Sequence, residues 1–332
     1  MKKLINDPER VVEEMLEGMA VAWPQYLRLL PEHNVVVRAD SPVRGKVALV
    51  SGGGSGHEPS HGGYVGLGML DGACAGNVFT SPTPDQVLAA IRAVDGGKGV
   101  LLVVKNYTGD VMNFDMAAEM AAAEGIATAS VLVDDDVAVE NSTWTQGRRG
   151  IAGTVFVHKI AGARAQAGGS MEEVKAVAEK VIRNVRSMGM ALAPCVVPAV
   201  GKANFTLGED EMEIGMGIHG EPGTNREKVK SADGITAHLA GRVIEDLPFK
   251  AGDEVAVMIN GLGGTPLMEL CIVNRKVAAM LAERGIKTFR TYVGEFMTSI
   301  EMAGCSVTLL RLDDELKGLL AAPADTPGFK QL

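Results

Sequence analysis

The sequence predicts an α/β protein made of two α/β domains with mainly covered sheets, and three observations lead to this prediction. Short apolar runs alternate with helical patterns along the chain. The apolar runs are continuous and do not alternate with polar residues, which is typical of parallel strands covered by helices on both faces. The length of 332 residues also exceeds that of one common domain.

The first predicted domain covers residues 1–188. Asp7 as the cap and Pro8 at the first helical position predict a helix over residues 7–30. Ser170 opens a long amphipathic helix that closes the domain. The predicted strands cover residues 46–50, 99–104 and 128–133, and the other helices cover 84–94 (after a cap at Ser81 and Pro82), 115–124 and 170–188.

The second predicted domain covers residues 189–332 and begins where the helical pattern gives way to strand-like segments interrupted by Pro194 and Pro198. A further strand and helix pair is predicted in its middle, and the tail 321–332 is predicted to be loose. The strands of this domain are predicted at residues 255–259, 287–293 and 306–312, and its helix at 267–284.

The composition excludes several classes of function. A formal net charge of −9 argues against a nucleic-acid-binding protein, because such proteins neutralise phosphates with Lys and Arg. No apolar run reaches the 18 residues of a membrane-spanning helix, and residues 1–7 do not resemble a signal peptide. The four cysteines contain no C-x-x-C pair. The expected protein is therefore cytoplasmic and binds neither nucleic acid nor membrane.

A glycine-rich loop at residues 52–56 follows the first predicted strand. It is not a standard nucleotide loop: counting from Gly52 the sixth position is His57, counting from Gly54 it is Pro59, and no Walker lysine follows. Backbone N–H groups in such a loop bind ligand oxygens well, so the loop is a candidate site for a small polar ligand. A purely conformational turn is the alternative.

His57 and His61 formally match the H-E-x-x-H pattern of zinc hydrolases. Two zinc-binding histidines must share one helix face, but Pro59 between them fits only the first turn of a helix. The sequence therefore disfavours this interpretation, and no metal site is predicted.

Two acidic segments follow predicted strands. Asp110 shares a loop with Lys105, and the pair is either a solvated ion pair or a device that orients substrate hydroxyls. Because ligands bind beyond the carboxyl ends of strands in such sheets, His57 and Asp110 are expected to converge. Residues 134–136 are three consecutive aspartates, for which we favour a solvated turn that caps the next helix over a Mg²⁺ site.

His219 lies between Gly217 and Gly220. These small neighbours expose the imidazole and allow a ligand to approach it closely. A buried histidine with a structural hydrogen bond is the alternative.

Five segments together resemble the K subunit, the dihydroxyacetone-binding subunit, of dihydroxyacetone kinases, and this resemblance covers nearly the whole chain. They contain the glycine-rich loop with His57, the Lys105–Asp110 loop and the His219 segment, followed by two further loops. The segments are residues 50–59, 104–110, 217–223, 260–266 and 298–304.

The resemblance implies a two-domain α/β homodimer in which His219 forms a covalent hemiaminal with the ketone carbon of dihydroxyacetone. His57 and Asp110 would act on the substrate hydroxyls as acid/base groups. The implied substrate-contacting residues are Gly54, Ser55, Gly56, His57, Lys105, Asp110 and His219.

The resemblance also implies partners. Single-chain members carry a nucleotide domain after this region, so this chain resembles the subunit form, which binds no cofactor itself. ATP or ADP with Mg²⁺ is then expected on a separate L subunit, recharged from phosphoenolpyruvate through an M subunit of the phosphotransferase system. Two alternatives stay open: a dihydroxyacetone-sensing coactivator without catalysis, and a kinase subunit for a related ketose such as erythrulose.

Overall fold

The N-terminal half of the chain forms the first of two large sheets. The structure is a computed structural model that describes residues 2–141 and 145–332. The strands of the first sheet are β1 (Leu27–Leu30), β2 (Val35–Arg38), β3 (Ala48–Ser55), β4 (Gly72–Val78), β5 (Val100–Lys105) and β6 (Thr128–Val133), in the order β1-β2-β4-β3-β5-β6. Strands β4, β3, β5 and β6 are parallel, and β1 and β2 are added antiparallel at one edge.

The second sheet is mixed. Its strands are β7 (Val185–Ala193), β8 (Glu211–Ile214), β9 (Asn225–Lys228), β10 (Glu254–Gly261), β11 (Lys287–Gly294) and β12 (Ala303–Leu312), in the order β11-β10-β12-β7-β8-β9. Only the β10–β11 pair is parallel within this sheet. A short hairpin, β13 (Ala324–Asp325) with β14 (Lys330–Gln331), follows it.

Helices cover both faces of each sheet, as the continuous apolar strands predicted. They are α1 (Val11–Ala22), α2 (Pro84–Val94), α3 (Thr108–Ala123), α4 (Thr154–Gln166), α5 (Met171–Asn184), α6 (Ala232–Asp246), α7 (Leu267–Glu283) and α8 (Asp314–Ala321). Helices α2 and α3 pack on one face of the first sheet, and α6 and α7 pack on one face of the second. The α/β fold class is therefore confirmed.

One apolar core joins the two sheets through helices α4 and α5. It contains Leu101 and Val103 of the first sheet together with Met258 and Leu310 of the second, all buried. Helix α4 is buried on almost every face, which explains why its sequence lacks an amphipathic pattern. A domain boundary at residue 189 falls inside strand β7 and stays a prediction.

Several predicted boundaries were wrong. The predicted helix 7–30 is only α1, because Pro24 disfavours helical backbone before it, and the chain continues into β1. Its cap residue is Arg10, while Asp7 accepts a hydrogen bond from the backbone of Glu9. Thr83, with a capping box to Gln86, caps α2 in place of the predicted Ser81 and Pro82.

The C-terminal ends of two predicted segments also differ. The predicted helix 170–188 ends at Asn184, and the next residues begin β7, because their backbone pairs antiparallel with β12. The Ser170 cap is confirmed, with a capping box to Glu173. The tail 321–332, predicted to be loose, is ordered: it begins with the last residue of α8 and continues into the β13–β14 hairpin. The hydroxyl of Tyr26 donates a hydrogen bond to Asp325 of this hairpin at 2.8 Å.

Candidate active site

A cavity of about 400 Å³ lies beyond the carboxyl ends of β3 and β5, the edge at which ligands were expected. The loop between β8 and β9 closes it from the second sheet by contributing His219 and Glu221. The lining residues are Gly54, Phe79, Ser81, Tyr107, Thr108, Gly109, Asp110, His219 and Glu221.

The glycine-rich segment is part of strand β3 and not a loop after it, which corrects the predicted end of that strand. A Cβ on Gly52 would lie 2.7 Å from the carbonyl oxygen of Cys74, and a Cβ on Gly54 would lie 2.5 Å from the backbone nitrogen of Thr80. Glycine is therefore needed because neighbouring backbone packs directly against this strand.

Ser55 and Gly56 contribute to the shape of this region through internal bonds. The Ser55 hydroxyl donates to the carbonyl of Gly76 at 2.8 Å, and the carbonyl of Gly56 accepts from the backbone N–H of Ile300 at 2.7 Å. Neither residue is among those that line the cavity. Their contact with a substrate stays a prediction.

His57 is completely buried directly behind the cavity. Its Nδ1 lies 2.7 Å from the backbone carbonyl of Thr298. Because a carbonyl only accepts, Nδ1 must carry the proton, and Nε2 then bears a lone pair. Within residues 2–141 and 145–332 this Nε2 has no hydrogen-bond partner. Burial, followed by electrostatic interactions with His219 and Lys105, lowers the pKa of His57 well below its usual value, so the ring is neutral.

Asp110 lies in the first turn of helix α3, which begins at Thr108 and not near residue 115 as predicted. Its Oδ2 is 3.2 Å from Nζ of Lys105, and both side chains are buried. The solvated ion pair considered from the sequence is therefore wrong. Such a buried pair is costly to break, because the remaining partner would be an uncompensated charge.

His219 and His57 come together from different sheets, with ring centroids 4.8 Å apart in an edge-on arrangement. Tyr107 packs edge-on against His219 from the first sheet at 4.7 Å, and Phe79 contacts it at 5.3 Å. His219 Nδ1 lies 2.7 Å from Glu221 Oε1. Since the carboxylate accepts, Nδ1 carries the proton, and in the neutral form of this cavity-lining ring Nε2 has the lone pair.

Sequence reasoning assigned no role to Glu221 or to Arg149, which lies close to it. Arg149 is buried, donates from Nε to Asp136 at 2.8 Å and donates from Nη2 to the carbonyl of Gly215 at 2.7 Å. The only hint in the sequence was that Glu221 follows His219 by two residues. This spacing brings the two side chains into contact only when the loop between them turns back on itself.

The predicted solvated turn at residues 134–136 is wrong for two of its three members. Asp134 is exposed, whereas Asp135 and Asp136 are completely buried. Asp135 accepts hydrogen bonds from the backbone N–H groups of Ile151 and Gly153 just before α4, and burial raises the pKa of its carboxyl to about 6.

His61 does not share a helix face with His57. Its Nδ1 lies 3.0 Å from Nε2 of His158, a contact made inside the first-sheet core and away from the cavity. Across the described ranges, with their gaps at residue 1 and residues 142–144, no group of three or more His, Cys, Asp or Glu side chains is arranged to hold a metal ion.

No helix in the described part of the chain combines the length and the apolar character that crossing a membrane requires.

Comparison with known families shows that residues 17–328 match the Dak1 domain. The chain is 53% identical to the dihydroxyacetone-binding subunit of PTS-dependent dihydroxyacetone kinase 1 from Listeria innocua, over 98% of this chain and 99% of that protein. It is 44% identical to the corresponding subunit of the PEP-dependent kinase of Escherichia coli, over 99% of each chain. A D-erythrulose kinase of Mycolicibacterium smegmatis is also 44% identical, but the match covers only 57% of that longer protein.

Two solved structures have the same fold. The dihydroxyacetone kinase of C. freundii superposes with a TM-score of 0.91 and 36% identity, over 99% of this chain and 60% of that one. A dihydroxyacetone kinase operon co-activator superposes with a TM-score of 0.90 and 37% identity, over 96% of this chain and 98% of that one.

Proposed function

The chain belongs to the Dak1-domain family of dihydroxyacetone-binding kinase subunits, and from this premise we propose that it binds dihydroxyacetone and presents one terminal hydroxyl for phosphorylation to dihydroxyacetone phosphate. The observation that carries the proposal is the pairing at the cavity. His219 lines it with its Nδ1 bound to Glu221, which leaves the Nε2 lone pair to the neutral ring, and Nε2 of His57, unpartnered among the described residues, lies behind the same ring.

Covalent capture on His219 gives the site its selectivity for ketones. The Nε2 lone pair adds to the carbonyl carbon of dihydroxyacetone, the C–N bond forms, and the π electrons move to the oxygen, which takes up a proton. Glycerol has no carbonyl and cannot react in this way. Bonding also solves a recognition problem, because small polyols differ by few contacts.

His57 and Asp110 are proposed as the acid/base groups for the terminal hydroxyl. A hydroxyl that attacks a phosphoryl group must lose its proton, and a neutral imidazole or a carboxylate can accept it. Lys105 supports this role by holding Asp110 at 3.2 Å in a buried pair. Once the adduct fixes the substrate, the reacting oxygen has little freedom left to lose.

We propose that the phosphoryl donor is held by a separate subunit. The chain has no Walker or G-x-G-x-x-G loop, and relatives that match it over their full length are named PTS-dependent or PEP-dependent. ATP or ADP with Mg²⁺ would therefore be bound by an L subunit and recharged through an M subunit of the phosphotransferase system. A cytoplasmic homodimer is the assembly that the resemblance implies.

Carbon NMR of carbonyl-labelled dihydroxyacetone tests the capture step. With the intact protein, the ketone signal is expected to move to that of a tetrahedral carbon, and with His219→Ala it should remain a ketone signal. A ketone signal unchanged by both proteins would contradict the proposed function.

A sensing role is the second candidate, because the co-activator structure superposes as well as the kinase does. The presence of both His57 and Asp110 favours the kinase, since a sensor needs only the capturing histidine. Adding an L subunit with its donor system separates the two: a kinase subunit produces dihydroxyacetone phosphate, whereas a sensor forms the adduct without turnover. Competition between dihydroxyacetone and erythrulose tests the related ketose, which the erythrulose kinase relative favours.

A further inference from the structure

Glu221 holds the capturing histidine by two contacts. Its Oε1 accepts from Nδ1 of His219 at 2.7 Å, and its Oε2 accepts from the backbone N–H of the same residue at 3.0 Å. The Glu221 side chain is only 3% exposed, compared with 19% for His219. One buried carboxylate therefore fixes both the orientation of the imidazole and the backbone that carries it.

A buried cation, Arg149, lies near Glu221 and acts on it through its charge. Arg149 is completely buried, and its charge is balanced by Asp136 at 2.7 Å. Its Nη1 has no hydrogen-bond partner in the described part of the chain. A Cβ on Gly217 would overlap Glu221 Oε2 and lie 2.7 Å from this Nη1, so both groups occupy the space that glycine leaves open.

We propose that Glu221, backed by Arg149, is a positioning residue that stabilises the positive charge His219 acquires when it captures the ketone. The inference rests on the proposed capture function. It gives Glu221 a role in addition to the attack of Nε2 on the ketone, which does not by itself require a carboxylate. It explains why an acidic group contacts Nδ1, the ring nitrogen of His219 that does not attack the ketone.

The proton and electron balance defines this role. When Nε2 forms its bond to the carbonyl carbon, the electron pair of the C=O π bond moves to oxygen, which takes a proton from solvent. The imidazole retains its Nδ1 proton and becomes a cation, paired with the carboxylate of Glu221. Without that carboxylate the cation is unpaired in a buried site, so the Nδ1 proton is lost more readily or the adduct reverts.

The pH behaviour follows from the groups around the ring. Burial alone would raise the pKa of Glu221, but its interactions with His219, followed by the charge of Arg149, lower it to about 2. The carboxylate is therefore ionised throughout the working pH range and does not itself titrate there. The other titratable or charged groups that face this region are His57, Lys105, Tyr107, Asp110, Asp136 and Arg149.

The test compares Glu221→Gln with a matched control, Glu213→Gln. Glu213 is also buried and belongs to the same segment, but it accepts from Gly223 and Arg226 and not from His219. Labelled dihydroxyacetone is titrated into each protein, and the tetrahedral carbon signal gives the affinity. Nitrogen NMR of labelled histidine then gives the pH at which the adduct loses its Nδ1 proton.

We expect Glu221→Gln to weaken capture about 10- to 100-fold, the loss that follows when a charged hydrogen-bond partner is neutralised. Its adduct should lose the Nδ1 proton about one to three pH units lower than wild type does. Glu213→Gln should match wild type in both measurements, and Glu221→Asp should restore much of the proton retention.

Equal affinity and equal proton loss in wild type and Glu221→Gln would overturn the inference while leaving the capture function intact. Failure of wild type to give any tetrahedral carbon would instead overturn the capture function. If Glu221→Gln does not fold, the wild-type adduct alone still decides: an Nδ1 without a proton at neutral pH contradicts the role given to Glu221.

Discussion

Two pairs of neighbouring histidines in the described part of the chain differ in their surroundings and in their proposed roles. His57 and His219 meet edge-on at the cavity, with ring centroids 4.8 Å apart. His61 and His158 also meet edge-on, at 5.2 Å, but they are sealed inside the core of the first sheet. Burial is the main cause that lowers the pKa of His57, His61 and His158.

The difference lies in what surrounds each pair. In the cavity pair, each Nδ1 donates to a fixed oxygen, so both Nε2 atoms are left available. In the core pair, His61 Nδ1 and His158 Nε2 bind each other, and Ser51 Oγ lies 3.4 Å from the same Nδ1. The other two ring nitrogens of this pair also have no partner among the described residues, but they are buried in the core, and neither histidine lines the cavity. A buried histidine therefore becomes a candidate for chemistry when its second nitrogen faces space for a ligand.

The largest expected effect is on turnover, which should depend on the cavity pair of histidines and not on the core pair. His57→Asn should reduce turnover with an L subunit and donor by about 10²- to 10⁴-fold, because it removes a proposed proton acceptor. His61→Asn, four residues away, should leave turnover within a few-fold. Phosphorylation of dihydroxyacetone measured for both variants checks this. Equal losses would mean that the core pair also takes part in the reaction.

Asp110→Asn should affect both histidine pairs, because Asp110 pairs with Lys105, whose charge lowers the pKa of His57, His61 and His158. Removing one member of a buried ion pair leaves an uncompensated ammonium and is expected to cost about 3–5 kcal/mol in the free energy of unfolding. Urea unfolding at pH 7 measures this, with the double variant Lys105→Met plus Asp110→Asn as the control that should recover part of the loss. No recovery would argue against the pairing as the source of the cost.

The core pair should make stability depend on pH. Burial, and then the charge of Lys105, lowers the pKa of His158 to about 3. The unfolded chain therefore binds a proton near its ordinary pKa of about 6.5 that the native chain does not. Its contribution to stability is present above pH 6.5 and is lost as the pH falls towards 3. In His158→Gln, the loss of unfolding free energy between pH 6.5 and 5 should be smaller than in wild type by about 2 kcal/mol. Parallel pH profiles for the two proteins would contradict this.

The smallest effect is expected at Ser51, whose hydroxyl donates to the carbonyl of Val103 at 2.7 Å and lies 3.4 Å from His61 Nδ1. Ser51→Ala should lower the free energy of unfolding by about 1 kcal/mol through the lost hydrogen bond. The carbon NMR signal of the captured ketone should be unchanged. A weaker adduct in this variant would link the core pair to the cavity.

Local sequence patterns predicted the cavity pair only in part. The convergence of His57 and Asp110 followed from the rule that strand ends meet at one edge of a sheet. The geometry of Asp110 was missed because α3 begins directly at Thr108, with Tyr107 in extended backbone and no polar cap side chain to mark the start. Glu221 was missed because its contact depends on a loop in which Gly220 adopts a φ of +83°.

The core pair could not be predicted at all. Its members are 97 positions apart, on a turn and on helix α4, and only the packing of that helix against the first sheet brings them together. The C-terminal hairpin escaped prediction for a similar reason, since its short strands are fixed by distant partners at Leu67 and Tyr26.

The placement of α4 and α5 between the sheets has a consequence for how the chain can be divided. Both helices precede residue 189, yet their apolar side chains share a core with strands β10 and β12. A gene cut at that point would give an N-terminal fragment with a large exposed apolar face and a C-terminal fragment with an uncovered sheet. The two halves should precipitate when produced apart and should assemble into a soluble complex when produced together.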